Sequence, residues 1–190
     1  MRDPQRDPRR VAILISGRGS NMRALVEQAQ NYEIALVASN KPAAAGLEWA
    51  QERGLATWAL ESRGTEKQTY DRAISDALDE HRIGTIALAG FMRILSPWFV
   101  DHWAGRIVNI HPSLLPKYRG LDTHARALEA GDKMAGCSVH IVTDELDAGE
   151  VLGQAGVPIL KGDTPASLEQ RVLAAEHQLY PRVLNEFVLR

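Results

Sequence analysis

The densest group of chemically capable side chains lies mid-chain, in the run Asn-Ile-His-Pro at 109–112. In an extended strand, residues two apart project from the same face, so Asn109 and His111 should project together. An amide can donate a hydrogen bond to a developing oxyanion, and an imidazole can hold or move a proton near neutral pH. The pair therefore indicates acyl transfer. The alternative is a strand-end histidine that is simply hydrogen-bonded by its neighbours.

A second polar segment, at 143–150, could bring a carboxylate to this pair. Asp144, Glu145 and Asp147 fall close together between two apolar runs. A carboxylate beside His111 would orient the ring and stabilise its charged form. The segment lacks the ligand spacing of an EF-hand, so we expect no calcium there and no metal in the protein. The residues alone leave open which acid acts, or whether the turn is merely solvated.

A glycine-rich turn follows the first apolar run of the chain, with the residues Ser-Gly-Arg-Gly-Ser-Asn at 16–21. Backbone N–H groups at a helix start are unpaired and attract an anion. A dinucleotide fingerprint would need a third glycine where Met22 stands, and an acidic residue after the second strand, which is absent. We therefore expect a single phosphate at Gly19, Ser20 and Asn21. The alternative is a tight turn capped by Ser20 or Asn21.

The overall composition is that of an ordinary globular domain. The chain has 190 residues, 45% of them hydrophobic, and a formal net charge of −2. This balance exerts no global pull toward nucleic acid or an anionic membrane, so neither is expected as a partner. The lone Cys137 cannot form an internal disulfide, which favours a structural thiol in a reducing cytoplasm.

The first ten residues alternate charges with prolines and contain no apolar run. A secretory signal needs an apolar core of about 7–15 residues, so none is expected here. We predict a disordered arm over residues 1–10 and a single domain over 11–190.

Short apolar runs alternate with amphipathic stretches, which is typical of an α/β protein. The predicted strands cover 11–15, 34–38, 56–60, 86–89, 106–110, 138–143 and 151–157. The predicted helices cover 22–29, 43–53, 66–82, 123–130 and a long final segment from 165, which Pro181 should kink or end. The last two strands are close enough for a hairpin. We therefore expect a Rossmann-like, mostly parallel sheet flanked by helices, with an antiparallel element in the C-terminal half.

Four motifs together resemble the folate-dependent phosphoribosylglycinamide formyltransferases, over about 11–181. They are Ser-Gly-x-Gly-Ser-Asn at 16–21, Ala-Gly-Phe-Met-Arg-Ile-Leu at 89–95, Asn-Ile-His-Pro-Ser-Leu-Leu-Pro at 109–116 and Thr-Asp-Glu-Leu-Asp-x-Gly at 143–149. The resemblance implies formyl transfer from 10-formyltetrahydrofolate to the amine of glycinamide ribonucleotide, in purine biosynthesis. It also implies small-molecule partners only and a monomer or homodimer.

The resemblance implies roles for particular residues. The predicted catalytic residues are Asn109, His111 and Asp147, and the predicted phosphate site is Gly19, Ser20 and Asn21. Folate is expected to contact Lys67, Met92, Arg93, Ile94, Leu95, Asn109 and Asp147, and the ribonucleotide is expected to contact Glu176. Asp122 departs from the family pattern, since some relatives carry histidine there.

Three alternatives compete with this interpretation. Methionyl-tRNA formyltransferase shares the Ser-Leu-Leu-Pro-x-x-Arg-Gly motif at 113–120 but carries a further C-terminal domain. Formyltetrahydrofolate deformylase uses a similar catalytic set but has an N-terminal regulatory domain, and the length of this chain argues against both. A module that binds folate or nucleotide without chemistry is the third, and the complete set of Asn109, His111 and Asp147 argues against it.

Overall fold

A computed structural model of the protein describes residues 6–190. It contains one seven-stranded sheet in the order β3-β2-β1-β4-β5-β6-β7. The strands are β1 (Asp7–Ile15), β2 (Glu33–Ser39), β3 (Thr57–Ala59), β4 (Ile83–Leu88), β5 (Ile107–His111), β6 (Met134–Ile141) and β7 (Val151–Pro158). The helices are α1 (Ser20–Glu27), α2 (Ala45–Gln51), α3 (Lys67–Glu80), α4 (Pro97–His102), α5 (Thr123–Glu129) and α6 (Pro165–Phe187). The predicted α/β architecture is confirmed.

Strands β1 to β5 are parallel, and the central ones are buried on both faces. Residues 11–15 of β1 and all six residues of β4 are buried, as expected for apolar strands covered by helices on each side. One core lies between the sheet and helices α1, α2 and α6, and the other lies against α3 and α4. The carboxyl ends of the parallel strands therefore meet at one edge, where open α/β sheets bind ligands.

The C-terminal half adds two antiparallel strands to this sheet, which confirms the predicted antiparallel element. β6 pairs antiparallel with β5, and β7 pairs antiparallel with β6. The β5–β6 register places Asn109 opposite His140 and His111 opposite Ser138. This register decides which side chains of the two strands can touch.

The prediction of a disordered arm is wrong for positions 7–10, which form the start of β1. Arg10 forms an ion pair with Glu33, and the Thr85 hydroxyl donates to the Pro8 carbonyl at 2.8 Å. Arg6 lies over the Trp103 ring at 4.0 Å. These cross-strand and cation–π contacts stabilise a segment that has no apolar residues of its own. Residues 1–5 lie outside the described part of the chain.

Helix α6 continues through Pro181 to Phe187, whereas the sequence left open whether it ends there. A proline cannot donate to the carbonyl four residues earlier, which here belongs to His177. The Gln28 side chain donates to that carbonyl at 2.9 Å and so replaces the missing bond. Helix α4 was not predicted, although Ser96 caps it and Pro97 occupies its first turn.

Candidate active site

His111 ends strand β5 with its side chain 7% exposed, and the half-buried Asn109 lies two residues before it. The His111 Nε2 lies 2.9 Å from the backbone oxygen of Tyr118. Because a carbonyl only accepts, this nitrogen carries a hydrogen and donates. The His111 Nδ1 lies 3.4 Å from the Asp147 Oδ2. Both ring nitrogens of His111 thus face oxygen acceptors.

The three acids between β6 and β7 have different surroundings. Asp147 is 8% exposed in its side chain and faces His111. Glu145 is 74% exposed and forms an ion pair with Arg119 at 2.6 Å, while Asp144 is exposed. The structure therefore brings Asp147, and not its two acidic neighbours, to the imidazole.

The Asp147 carboxylate is held in its charged form by its contacts. Burial raises the pKa of Asp147, but His140, the Gly120 N–H and the His111 charge outweigh it, so the net pKa is lowered. The Gly120 N–H donates to Oδ2 at 2.9 Å. A carboxylate that stays ionised next to His111 is the electrostatic partner that an imidazolium needs.

His140 on β6 completes the cluster, and sequence reasoning missed it. Its Nδ1 donates to the Ile141 carbonyl at 2.9 Å. In the neutral ring the Nε2 is therefore an acceptor, and it lies 3.2 Å from the Asn109 Nδ2. The same Nε2 lies 3.5 Å from the Asp147 Oδ1. The His140 Nε2 thus lies against both the Asn109 amide and the Asp147 carboxylate.

The glycine-rich turn forms the predicted strand-to-helix junction. Gly19 is the N-cap of α1 with φ +71°, a left-handed conformation that glycine adopts without strain. The helix has no side-chain cap, so the alternative of a turn capped by Ser20 or Asn21 is wrong. The first backbone N–H groups of α1 thus remain available for an anion.

Glu176 on α6 joins this turn to the rest of the site. The Asn21 Nδ2 donates to the Glu176 Oε2 at 2.7 Å, and Glu176 is only 6% exposed. Burial raises the pKa of Glu176, and the hydrogen bond from Asn21 opposes that shift. The sequence places these two residues 155 positions apart, and the fold brings them into contact.

Residues 92–95 connect β4 to α4 at the same edge of the sheet, and they are called the folate segment after the predicted contact with folate. Met92 and Ile94 are each 74% exposed, whereas Leu95 is 8% exposed and packs in the core. Two exposed apolar side chains on one short segment form a surface suited to an aromatic ring. The side chain of Leu95 does not project into this surface.

Arg93 folds inward from the folate segment, and Lys67 lies near it. The Arg93 guanidinium lies over the Tyr70 ring at 4.5 Å, and its Nε is 3.9 Å from the Asp71 Oδ1. Lys67 is the exposed first residue of α3, one helical turn before Tyr70 and Asp71. Both basic side chains therefore lie at the end of α3 that packs against the folate segment.

Comparison with known proteins identifies the family. The sequence model described as formyl transferase matches residues 9–184. The chain belongs to the formyl transferase family. It is 48% identical over 182 residues to the phosphoribosylglycinamide formyltransferase of Escherichia coli K12, covering 93% of this chain and 86% of that protein.

A second relative agrees in sequence, and a solved structure agrees in both sequence and fold. The chain is 44% identical to the human trifunctional purine biosynthetic protein adenosine-3, covering 93% of this chain but 18% of that protein. The crystal structure of phosphoribosylglycinamide formyltransferase from Brucella melitensis superposes with a TM-score of 0.91 at 49% identity, covering 96% of each chain.

Two loops of this formyl transferase domain enclose His111 in left-handed backbone conformations. Tyr118, Asp122 and Asp147 have φ values of 55°, 57° and 50°. Such conformations in residues other than glycine are costly and concentrate at functional sites. Asp122 is the N-cap of α5, without a side-chain capping bond.

Neither a metal cluster nor a membrane-spanning helix is found in the described part of the chain. No group of three or more His, Cys, Asp or Glu side chains within residues 6–190 could hold a metal ion. No helix in the same range is long and apolar enough to cross a bilayer.

Proposed function

We propose that this protein transfers the formyl group of 10-formyltetrahydrofolate to the amine of glycinamide ribonucleotide, giving formylglycinamide ribonucleotide and tetrahydrofolate in purine biosynthesis. The observation that carries the proposal is the buried contact of His111 with Asp147, beside Asn109, at the ligand-binding edge of the sheet. The names of the relatives that match over nearly the whole chain support the same reaction.

In the proposed reaction, the substrate amine attacks the formyl carbon and a tetrahedral intermediate forms. The Asn109 amide and the His111 imidazolium donate hydrogen bonds to its oxyanion, which is where charge develops. His111 already presents the Nε2 hydrogen to the Tyr118 carbonyl. The oxyanion would take the place of that carbonyl while Asp147 keeps its contact with Nδ1.

Asp147 has two proposed tasks. Its carboxylate, whose pKa is lowered, is the proposed electrostatic partner of the His111 ring at Nδ1. It also helps, through water, to move a proton from the attacking nitrogen to the departing folate nitrogen. The C–N bond to the folate then breaks, and the formyl carbon remains on the substrate amine.

The two substrates are proposed to bind on either side of this cluster. The backbone N–H groups of Gly19, Ser20 and Asn21 hold the phosphate of the ribonucleotide. The buried Glu176, which accepts from Asn21, contacts the sugar–amine portion.

Folate is proposed to lie along the folate segment and to reach the catalytic cluster at its formyl end. Met92 and Ile94 pack against the pterin, Leu95 contributes backbone groups, and Asn109 and Asp147 contact the reacting end. The basic side chains of Arg93 and Lys67 are proposed to attract the folate carboxylates.

The proposed site uses residues of one chain only, so a monomer or a homodimer can both be active.

Burial raises the pKa of the Cys137 thiol to about 12, so this lone cysteine stays protonated. This supports a structural thiol and fits the expected cytoplasmic location.

Incubation with 10-formyltetrahydrofolate, with and without glycinamide ribonucleotide, tests the proposal. Tetrahydrofolate should be released only when the ribonucleotide is present. Release without the ribonucleotide would instead indicate a deformylase. No release in either mixture would leave only a binding module, and both of those outcomes would contradict the proposal.

A further inference from the structure

A buried serine hydroxyl joins the glycine-rich turn to the folate segment. Ser16 follows β1 directly and is 6% exposed. The Met92 N–H donates to the Ser16 Oγ at 2.7 Å, and the Ser16 hydroxyl donates to the Asn40 Oδ1 at 2.5 Å. An N–H can only donate, so the single hydroxyl hydrogen of Ser16 is committed to Asn40. The position of this hydroxyl is thus defined by both partners.

The partners of Ser16 are themselves held in place. The Asn40 Nδ2 donates to the Ser62 Oγ at 3.1 Å, and the Ser62 N–H donates to the Asn40 carbonyl at 3.2 Å. The Ser16 N–H also donates to the Gly90 carbonyl at 3.1 Å. Ser16 therefore links the segments that follow β1, β2, β3 and β4 at the ligand-binding edge.

The folate segment has few other attachments. Within residues 6–190, residues 92–95 make no backbone–backbone hydrogen bond. Its start is held by the bond from Met92 to Ser16, and its end by the Ser96 N–H, which donates to the fully buried Asp71 at 2.7 Å. Two side-chain acceptors thus hold the backbone at the two ends of a segment in which Met92 and Ile94 face solvent.

From these contacts we propose that Ser16 is a positioning residue for the folate site. It holds the Met92 backbone so that Met92 and Ile94 present their side chains as one surface. Ser16 is neither one of the proposed catalytic residues nor one of the residues proposed to hold the phosphate. Its loss should therefore weaken folate binding and leave ribonucleotide binding and the chemical step largely unchanged. This inference rests on the proposed function.

The test compares Ser16→Ala with Ser75→Ala as a matched control. Ser75 on α3 is 2% exposed, and its hydroxyl accepts from the Trp103 Nε1 at 3.1 Å, a contact that involves no residue of the folate segment. Each variant removes a buried hydroxyl that accepts a hydrogen bond, and so leaves one N–H donor without its acceptor. The measurements are the KM for each substrate, kcat, and calorimetric binding of tetrahydrofolate alone.

Ser16→Ala should raise the KM for 10-formyltetrahydrofolate and weaken tetrahydrofolate binding by about ten-fold, the usual effect of leaving one buried donor unpaired. The KM for the ribonucleotide and kcat should change by less than about two-fold, Ser16→Thr should restore folate binding, and Ser75→Ala should change neither KM. If Ser16→Ala does not fold, Asn40→Ala must weaken folate binding in the same direction.

Unchanged folate binding in a folded Ser16→Ala protein would overturn the inference. So would an equal rise in the ribonucleotide KM, or the same effect from Ser75→Ala. If the wild-type protein binds tetrahydrofolate but transfers no formyl group, the proposed function fails and the binding data still judge Ser16. If the wild-type protein binds no tetrahydrofolate, both ideas fail.

Discussion

The parallel and antiparallel halves of the sheet contribute different kinds of groups to the site. The segments after β1 and β4 offer backbone N–H groups, exposed apolar side chains and neutral hydrogen bonds, as at Gly19, Ser16 and Met92. The β5–β6 pair and the loop after β6 instead offer titratable side chains packed together, namely His111, His140 and Asp147. We infer that the parallel half binds the substrates and the antiparallel half performs the chemistry.

This difference follows from how each half is built. Parallel strands all end at one edge, so successive loops meet there and their backbone groups can surround two ligands. An antiparallel pair sets residues from distant parts of the chain directly opposite one another, as with Asn109 and His140. Close, fixed contacts between side chains are what an acid–base cluster needs.

The largest effects should come from the three proposed catalytic residues. We expect Asn109→Ala, His111→Ala and Asp147→Ala each to lose about 10²–10³ or more in kcat, because each removes an oxyanion donor or its electrostatic partner. Steady-state kinetics at saturating substrate measures this loss. Circular dichroism should show that the variants remain folded.

Asp144→Ala is the matched control, since Asp144 is an exposed acid three residues from Asp147 in the same loop. It should keep near-normal turnover. Turnover of Asp147→Ala equal to that of Asp144→Ala would remove Asp147 from the mechanism.

Loss of His140 should have a smaller effect, because His140 orients the Asn109 donor and is not itself a proposed donor to the oxyanion. We expect His140→Ala to lower kcat by about ten-fold to a hundred-fold, as the Asn109 amide loses its 3.2 Å contact. His102→Ala, a histidine that lies 3.3 Å from Arg6 at the opposite end of the sheet, should leave kcat unchanged. An unaffected kcat in His140→Ala would show that Asn109 needs no such support.

On the binding side, Gly19→Ala should act on KM. An alanine at φ +71° is strained, and its Cβ would lie 2.9 Å from the Met22 Cε, so the N–H groups of the turn must shift. We expect the KM for the ribonucleotide to rise by about ten-fold, with little change in the KM for folate. Gly54→Ala has a similar φ of +72° and open space around it, so it controls for strain alone. Equal KM values in the two variants would contradict a phosphate site at 19–21.

Much of the binding half could be predicted from sequence because its signals are local. An apolar run, two glycines and a helix start are neighbours in the chain, so the turn at 16–21 was predictable. The pairing of Asn109 with His111 was predictable for the same reason, since a strand projects alternate residues to one face.

The catalytic half needed more than local pattern. Asp147 came from family resemblance, since three acids in one loop look alike in sequence and only burial separates them. His140 was missed because it lies 31 residues after Asn109 in the chain, and their contact depends on the pairing register of β5 and β6. The one available signal was a histidine inside a predicted apolar strand.

The start of β1 was missed because its charged and proline residues are held by contacts with residues on other strands, such as Glu33 and Thr85.

The smallest predicted effect is a pH-dependent change in melting temperature when Glu176 is replaced. Burial raises the pKa of the Glu176 carboxyl in the folded protein, so protonated Glu176 favours the folded state. This contribution to stability is complete below the pKa of Glu176 in the unfolded chain and is lost as pH rises through its pKa in the folded protein. Glu176→Gln keeps an acceptor for Asn21 and does not titrate. We therefore expect its melting temperature to exceed that of the wild type by a few degrees at alkaline pH, and the difference to shrink in acid. A difference independent of pH would contradict this account of Glu176.

The most direct test of the central claim follows the fate of the formyl carbon. With isotopically labelled 10-formyltetrahydrofolate, mass spectrometry should find the label on the ribonucleotide amine for the wild-type protein and only traces for Asn109→Ala. Label recovered as free formate, or equal transfer by the two proteins, would contradict formyl transfer through Asn109, His111 and Asp147.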